Sequence, residues 1–133
     1  VRVTYPDEVR KARRKSSRAL VVVVDADMEE VAFRHTRLDG ELKLNELVPR
    51  DKGERIVVLV PRRHIETWIH YLNGNSVEEE QDYKSKVRPD RHTESAVKKL
   101  HSIRKKSWIF PRGCPPSLAS VVGEFKRLIT STR

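Results

Sequence analysis

Four valines in a row, Val21 to Val24, follow Ala19-Leu20 and run straight into Asp25-Ala26-Asp27. A β-branched run without polar alternation predicts a strand buried on both faces of a sheet, with the two carboxylates at its C-terminal end. RIVVLVP, residues 55 to 61, reads the same way and is stopped by Pro61. Between them, residues 28 to 47 open with two acids suited to a helix N-terminus. Val31, His35, Leu38 and Leu42 follow at spacings of three and four, which predicts a crossover helix weakened near Gly40. Strand, helix and strand make a βαβ unit, so the two strands are expected to lie parallel.

The flanks are helical in pattern. DEVRKARRKSSR, residues 7 to 18, is a short basic helix behind Pro6. HIETWIHYLNG, residues 64 to 74, carries an apolar stripe of Ile65, Trp68, Ile69 and Leu72 and ends at Asn73-Gly74. SVEEEQDYKSKVRPDRH reads as an exposed charged connection. TESAVKKLHSIRKK reads as a helix capped by Thr93, with Ala96, Val97, Leu100 and Ile103 inward. A last helix enters through Pro115-Pro116 and turns Leu118, Val121, Val122, Phe125, Leu128 and Ile129 inward. Two parallel strands alone do not make a stable sheet. Further strands are expected from the stretch VRVTY, from an N-terminal segment, or from another copy of the chain.

With 133 residues the chain suits one domain, 1–133. Its 28 Lys+Arg against 19 Asp+Glu leave a net charge of +9, which points to a polyanionic partner such as nucleic acid. Cys114 is the single cysteine and cannot form an intramolecular disulfide. No apolar run is long enough to span a bilayer. The expectation is a soluble cytoplasmic protein without a membrane anchor. The chain begins at Val1 rather than Met, as expected of a processed product or a segment of something longer.

Asp25 and Asp27, two residues apart where a strand turns into a helix, can converge on one hard cation. Mg²⁺, or Mn²⁺ in its place, accepts one or two protein carboxylates and takes its remaining ligands from water and phosphate. The rival reading makes Asp27 a helix N-cap before MEEV. Haloacid-dehalogenase-type phosphatases use a related D-x-D-x-T/V pattern, but Glu29 follows Met28 here. D-x-D glycosyltransferases need a larger domain, the lysine pattern of receiver domains is missing, and no G-x-x-x-x-G-K-[ST] occurs.

VVVVDAD, the crossover helix after it, RIVVLVPRRHIETWIHYLNG and the late CPPSLASVVGEF together resemble the Toprim-like domains of uncharacterised bacterial proteins related to the OLD-family nucleases. The likeness covers most of the chain; D-x-D is a weak motif and HIETW the more distinctive block. It implies an α/β fold, a small parallel-sheet Toprim-like (Rossmann-like) domain with flanking helices. It also implies Mg²⁺ held at Asp25 and Asp27 for phosphodiester cleavage. The family's other acidic ligand, a glutamate on an earlier strand, has no counterpart. Only 24 residues precede Asp25, and their acids, Asp7 and Glu8, fall in the basic helix. The domain is thus expected to be incomplete at its N-terminus, missing its first βα unit and one ligand.

Glu66 follows the second strand and is a candidate third carboxylate, as ligand or base, against a plain first-turn glutamate. Asp25, Asp27 and Glu66 are therefore the candidate catalytic set. His64 and His70 are six apart, a poor spacing for zinc. Arg62 and Arg63 are candidates to clamp a phosphate. Lys98, Lys99, Arg104, Lys105 and Lys106 give one helix a cationic side, and Arg10, Lys11, Arg13, Arg14 and Lys15 do the same near the start. Lys98, Lys99, Lys105 and Lys106 join Arg62 and Arg63 as candidate nucleic-acid contacts. Trp68 is expected in the core, and Trp108 is the better candidate to stack a base or else to anchor its loop. Cys114, between Gly113 and two prolines, has no histidine nearby to activate it. The expected function is a metal-dependent nuclease, or a non-catalytic nucleic-acid-binding or assembly module of the same fold.

Overall fold

Leu20–Val23 (β1) and Ile56–Leu59 (β2) form a parallel pair in the register Leu20 to Ile56 through Val23 to Leu59. The computed structural model describes residues 3–15, 17–27 and 29–130, with the side chains of 129 and 130 outside that set. Six helices complete the described order: α1 (Tyr5–Arg13), α2 (Val31–Leu44), α3 (Ile65–Leu72), α4 (Pro89–Lys105), α5 (Pro116–Ala119) and α6 (Val121–Thr130). The fold is mixed α/β, and the two strands run parallel as the strand–helix–strand order predicts.

The chain divides into two compact units. The first comprises Val1–Val24, Glu30–Val60 and Val121–Arg133. In it α1 packs against α2 and β1, and α6 packs against β2. Tyr5, Val9, Val22, Leu38, Leu42 and Val121 close around the fully buried β2. Pro6 occupies the opening turn of α1, where its missing N–H costs nothing. Asp7 and Glu8 sit in that turn, and Arg10, Lys11 and Arg13 in the last, matching the helix dipole at both ends. α1 thus begins before the run read as helical and ends at Arg13.

β1 departs from the expectation of a strand buried on both faces. Val22 is buried, but Val21 and Val23 are 49% and 42% exposed. A valine run shows that a strand forms; it does not show which face is covered. The N–H groups of Leu20 and Val24 donate to Arg55 and Leu59 of the neighbouring segment, so those of Val21 and Val23 point away from β2. Among the described residues nothing pairs with that outer edge. VRVTY does not supply a third strand in its described part. Val3 and Thr4 form a turn and Tyr5 opens α1, while Val1 and Arg2 lie outside the described residues.

The second unit comprises Asp25–Glu29 and Pro61–Ser120, with α3 packed on α4. Its core includes Ala26, Trp68, Tyr71, Leu72, Ile103 and Leu118. Four expectations are corrected here. The connection from 76 to 92 is not simply exposed, because Tyr83 and Val87 are buried. α4 begins at Pro89, which is pre-set for a first helical turn, so Thr93 lies inside the helix and caps nothing. On α4, Ala96 and Ile103 are buried but Val97 is largely exposed. The segment after Pro115 is two helices, α5 in this unit and α6 in the other, and Ile129's side chain lies outside those described. Among the described residues no helix is long and apolar enough to cross a membrane.

Candidate functional site

Within the second unit the segments 25–27 and 61–63 run side by side: Ala26 N–H donates to Pro61 O at 2.9 Å and Asp27 N–H to Arg63 O at 3.1 Å. Asp27 then takes a left-handed conformation (φ 56°), which aspartate tolerates better than most side chains. Glu29 N–H closes the turn on Ala26 O at 3.0 Å.

This register delivers Asp25 to the start of α3. Its Oδ1 accepts the N–H of Ile65, the first residue of that helix, at 2.9 Å. His64, at the N-cap position, is extended and offers no side-chain cap, so a carboxylate 40 residues earlier satisfies this otherwise free donor. Burial pushes the Asp25 carboxyl above its ordinary pKa; the Ile65 N–H opposes this, and the neighbouring Glu66 charge adds to it. Glu66 lies in the first turn of α3, with Oε1 buried and without a hydrogen-bond partner among the described residues.

Asp27 is the exposed member of the pair, its side chain 56% accessible. Its Oδ1 lies 3.2 Å from Nε2 of His64, whose ring is buried. Asp82 Oδ1 stands 3.9 Å from the other ring nitrogen, Nδ1, which has no hydrogen-bond partner among the described residues. His64 is therefore flanked by two carboxylates, a placement the sequence signals only through the continued register that carries Asp27 alongside Arg63. His70 instead stacks on Tyr83, with ring centroids 5.0 Å apart.

Asp25, Asp27 and Glu66 thus all lie about the N-terminus of α3. Among the described residues no group of three or more histidine, cysteine, aspartate or glutamate side chains gathers into a metal cage. Two all-oxygen carboxylates suit a hard, largely hydrated cation better than zinc.

The candidate cations divide. Arg62 pairs with Glu80 at 2.9 Å, and Arg63 donates to the Glu80 carbonyl at 2.9 Å, so both hold the 78–82 stretch. Lys98 pairs with Glu94 one turn earlier on α4, at 3.1 Å. Lys99, Lys105 and Lys106 are exposed.

A buried polar cluster not signalled by the sequence centres on Ser117. Its Oγ accepts Trp68 Nε1–H at 2.9 Å and Arg62 N–H at 3.2 Å, and donates to Glu79, which also accepts Ser117 N–H at 3.1 Å. Trp68 is core, as expected. Trp108 is half-buried and tilted against Phe110, with ring centroids 6.1 Å apart. Ser107 and Trp108 both have positive φ, a strained pair just beyond α4. Burial pushes the Cys114 thiol upward, away from the reactive thiolate.

No protein-family model matches the chain, and no curated protein or solved structure matches it.

Proposed function

We propose that the chain carries a Toprim-like, Mg²⁺-dependent (or Mn²⁺-dependent) centre that cleaves phosphodiester bonds of nucleic acid. Asp25 and Asp27 hold the ion, and Glu66 is the third carboxylate, as ligand or base. The observation that carries this reading is the state of Asp25. Its carboxylate is half-buried, seated on the Ile65 N–H, and raised in proton affinity by burial and by Glu66. A carboxylate so placed is short of positive charge. A divalent cation supplies that charge and, when bound, polarises a phosphodiester as a Lewis acid. Asp25 is held in position by the α3 backbone, and exposed Asp27 presents its carboxylate beside His64. The +9 charge favours approach of a polyanion.

In the same reading the chain works in a reducing interior such as the cytoplasm. Its sheet is completed beyond β1 by an N-terminal segment or by a second copy.

A second reading, a non-catalytic nucleic-acid-binding or assembly module, is favoured by the capping role of Asp25 and by the engagement of Arg62 and Arg63 with Glu80. One experiment separates the two. The purified chain and its Asp25→Asn and Asp27→Asn variants are incubated with supercoiled and linear DNA plus Mg²⁺ or Mn²⁺. Metal-dependent cleavage lost in both variants is the expected result. Salt-sensitive binding without cleavage selects the module, and cleavage undiminished in both variants removes the carboxylates from the site.

A further inference from the structure

Beyond the carboxylates, the second unit contains a cleft of about 280 Å³ whose lining includes Tyr71, Leu72, Asn75, Val77, Lys99 and Arg112. No acidic side chain lines it. Lys99 projects from the middle of α4 and Arg112 from the loop after it; both are exposed, and neither has an acidic partner among the described residues. Tyr71 is buried and its hydroxyl donates to Pro111 O, which ties the loop carrying Arg112 to α3.

Two uncompensated cations over a concave surface without carboxylates select an anion. The guanidinium offers a planar fork that fits two phosphate oxygens, and the ammonium a mobile point charge. The walls are not those of a bare ion site, because half-buried Val77, with the small exposed parts of Tyr71 and Leu72, offers apolar surface that inorganic phosphate does not use. The size decides the scale. Sites for small organic ligands run from about 300 to 1,000 Å³, and at about 280 Å³ this cleft lies just under that range, with room for at most one nucleotide and none for a duplex backbone.

We propose that this cleft binds a single nucleotide, its phosphate held by Lys99 and Arg112 and its sugar and base laid against the apolar walls. The proposal rests on the nucleic-acid reading above for the identity of the anion. It adds Arg112, which the sequence did not single out, and makes the unit a reader of single-stranded or frayed ends.

The test is titration of the full chain with thymidine 5′-monophosphate, followed by amide chemical shifts at low salt with EDTA present. Chelation keeps the result independent of any metal at Asp25 and Asp27. Expected are shifts around Tyr71, Asn75 and Arg112, and affinity about tenfold weaker in Lys99→Gln and in Arg112→Gln. Lys52→Gln, which removes an equal charge in the other unit, leaves affinity unchanged. Lys99→Arg restores most of the binding. Thymidine without its phosphate, and inorganic phosphate without the nucleoside, each bind about tenfold more weakly than the nucleotide. Shifts elsewhere, affinity equal in both Gln variants and the parent, or phosphate binding as well as the nucleotide would overturn the proposal. Nucleotide binding at the cleft without metal-dependent cleavage supports this site and removes the nuclease reading alone.

Discussion

Arg50 and Glu124, 74 residues apart, form a two-pronged ion pair: Nη1 to Oε1 at 2.7 Å and Nη2 to Oε2 at 3.0 Å. The pair also binds the edge of β2 that faces away from β1. Glu124 Oε1 accepts Val58 N–H at 2.8 Å, and Arg50 donates to Ile56 O at 2.7 Å. Burial raises the proton affinity of Glu124, but Arg50 and the Val58 N–H overcome it and hold the carboxyl below its ordinary pKa. Two side chains thus replace a third strand. Glu124→Ala leaves a largely buried guanidinium without its counter-charge and a strand N–H without its acceptor, and is expected to destabilise the chain by about 3 kcal/mol in urea titrations. Removing Arg50 as well should cost less than the sum of the single losses.

Asp25 shifts the other way. Its raised pKa means the folded chain keeps this proton to higher pH than the unfolded chain, whose aspartates titrate near about 3.9. Its contribution to stability therefore falls as pH rises from that value through the folded pKa. Asp25→Asn removes the penalty and retains an oxygen for Ile65 N–H. Thermal melts should show the variant gaining on the parent between pH 3 and pH 7. With Mg²⁺ added at pH 7, only the parent should gain stability. A difference independent of pH would show that burial does not govern this carboxylate.

Ser117→Ala strips the acceptor from Trp68 Nε1 and Arg62 N–H and releases Glu79. The expected cost is about 2 kcal/mol, since buried donors are left without partners. Amide exchange should quicken first around Glu79 and Trp68, and uniform quickening throughout the chain would contradict a local clasp.

For DNA binding, the logarithm of the association constant should fall linearly with the logarithm of salt concentration. Lys105→Gln with Lys106→Gln should flatten that slope by about two, while Lys98→Gln, which removes the partner of Glu94, should change it less. Equal effects from all three would make the cationic face a diffuse field.

The parallel pair and the existence of α3 were legible because their signals are local: two β-branched runs, and an apolar period closed by Asn73-Gly74, where Gly74 adopts φ 94°. The buried face of α3 was only half read, since Trp68 and Leu72 are buried but Thr67 and Tyr71, rather than Ile65 and Ile69, join them. The bare side of β1 was not, since Val21 and Val23 are no less hydrophobic than the buried Val57 and Val58. Thr93 was mistaken for a cap because capping residues are read from type, whereas the start of α4 was set by Pro89. At the site, the three carboxylates were named from sequence. That Asp25 would cap α3, and that His64 would stand between Asp27 and Asp82, depends on register and on a loop return that no short window carries.

The outer rim of β1 has a consequence for the protein in bulk. Val21 and Val23 expose apolar side chains beside outward-facing peptide groups, with no lysine, proline or bulge in Leu20–Val23 to repel a newcomer. Because Arg50 and Glu124 already occupy the far edge of β2, association through this seam should stop at pairs of chains joined β1 to β1 in concentrated solution, and a single Val21→Lys replacement should keep them apart.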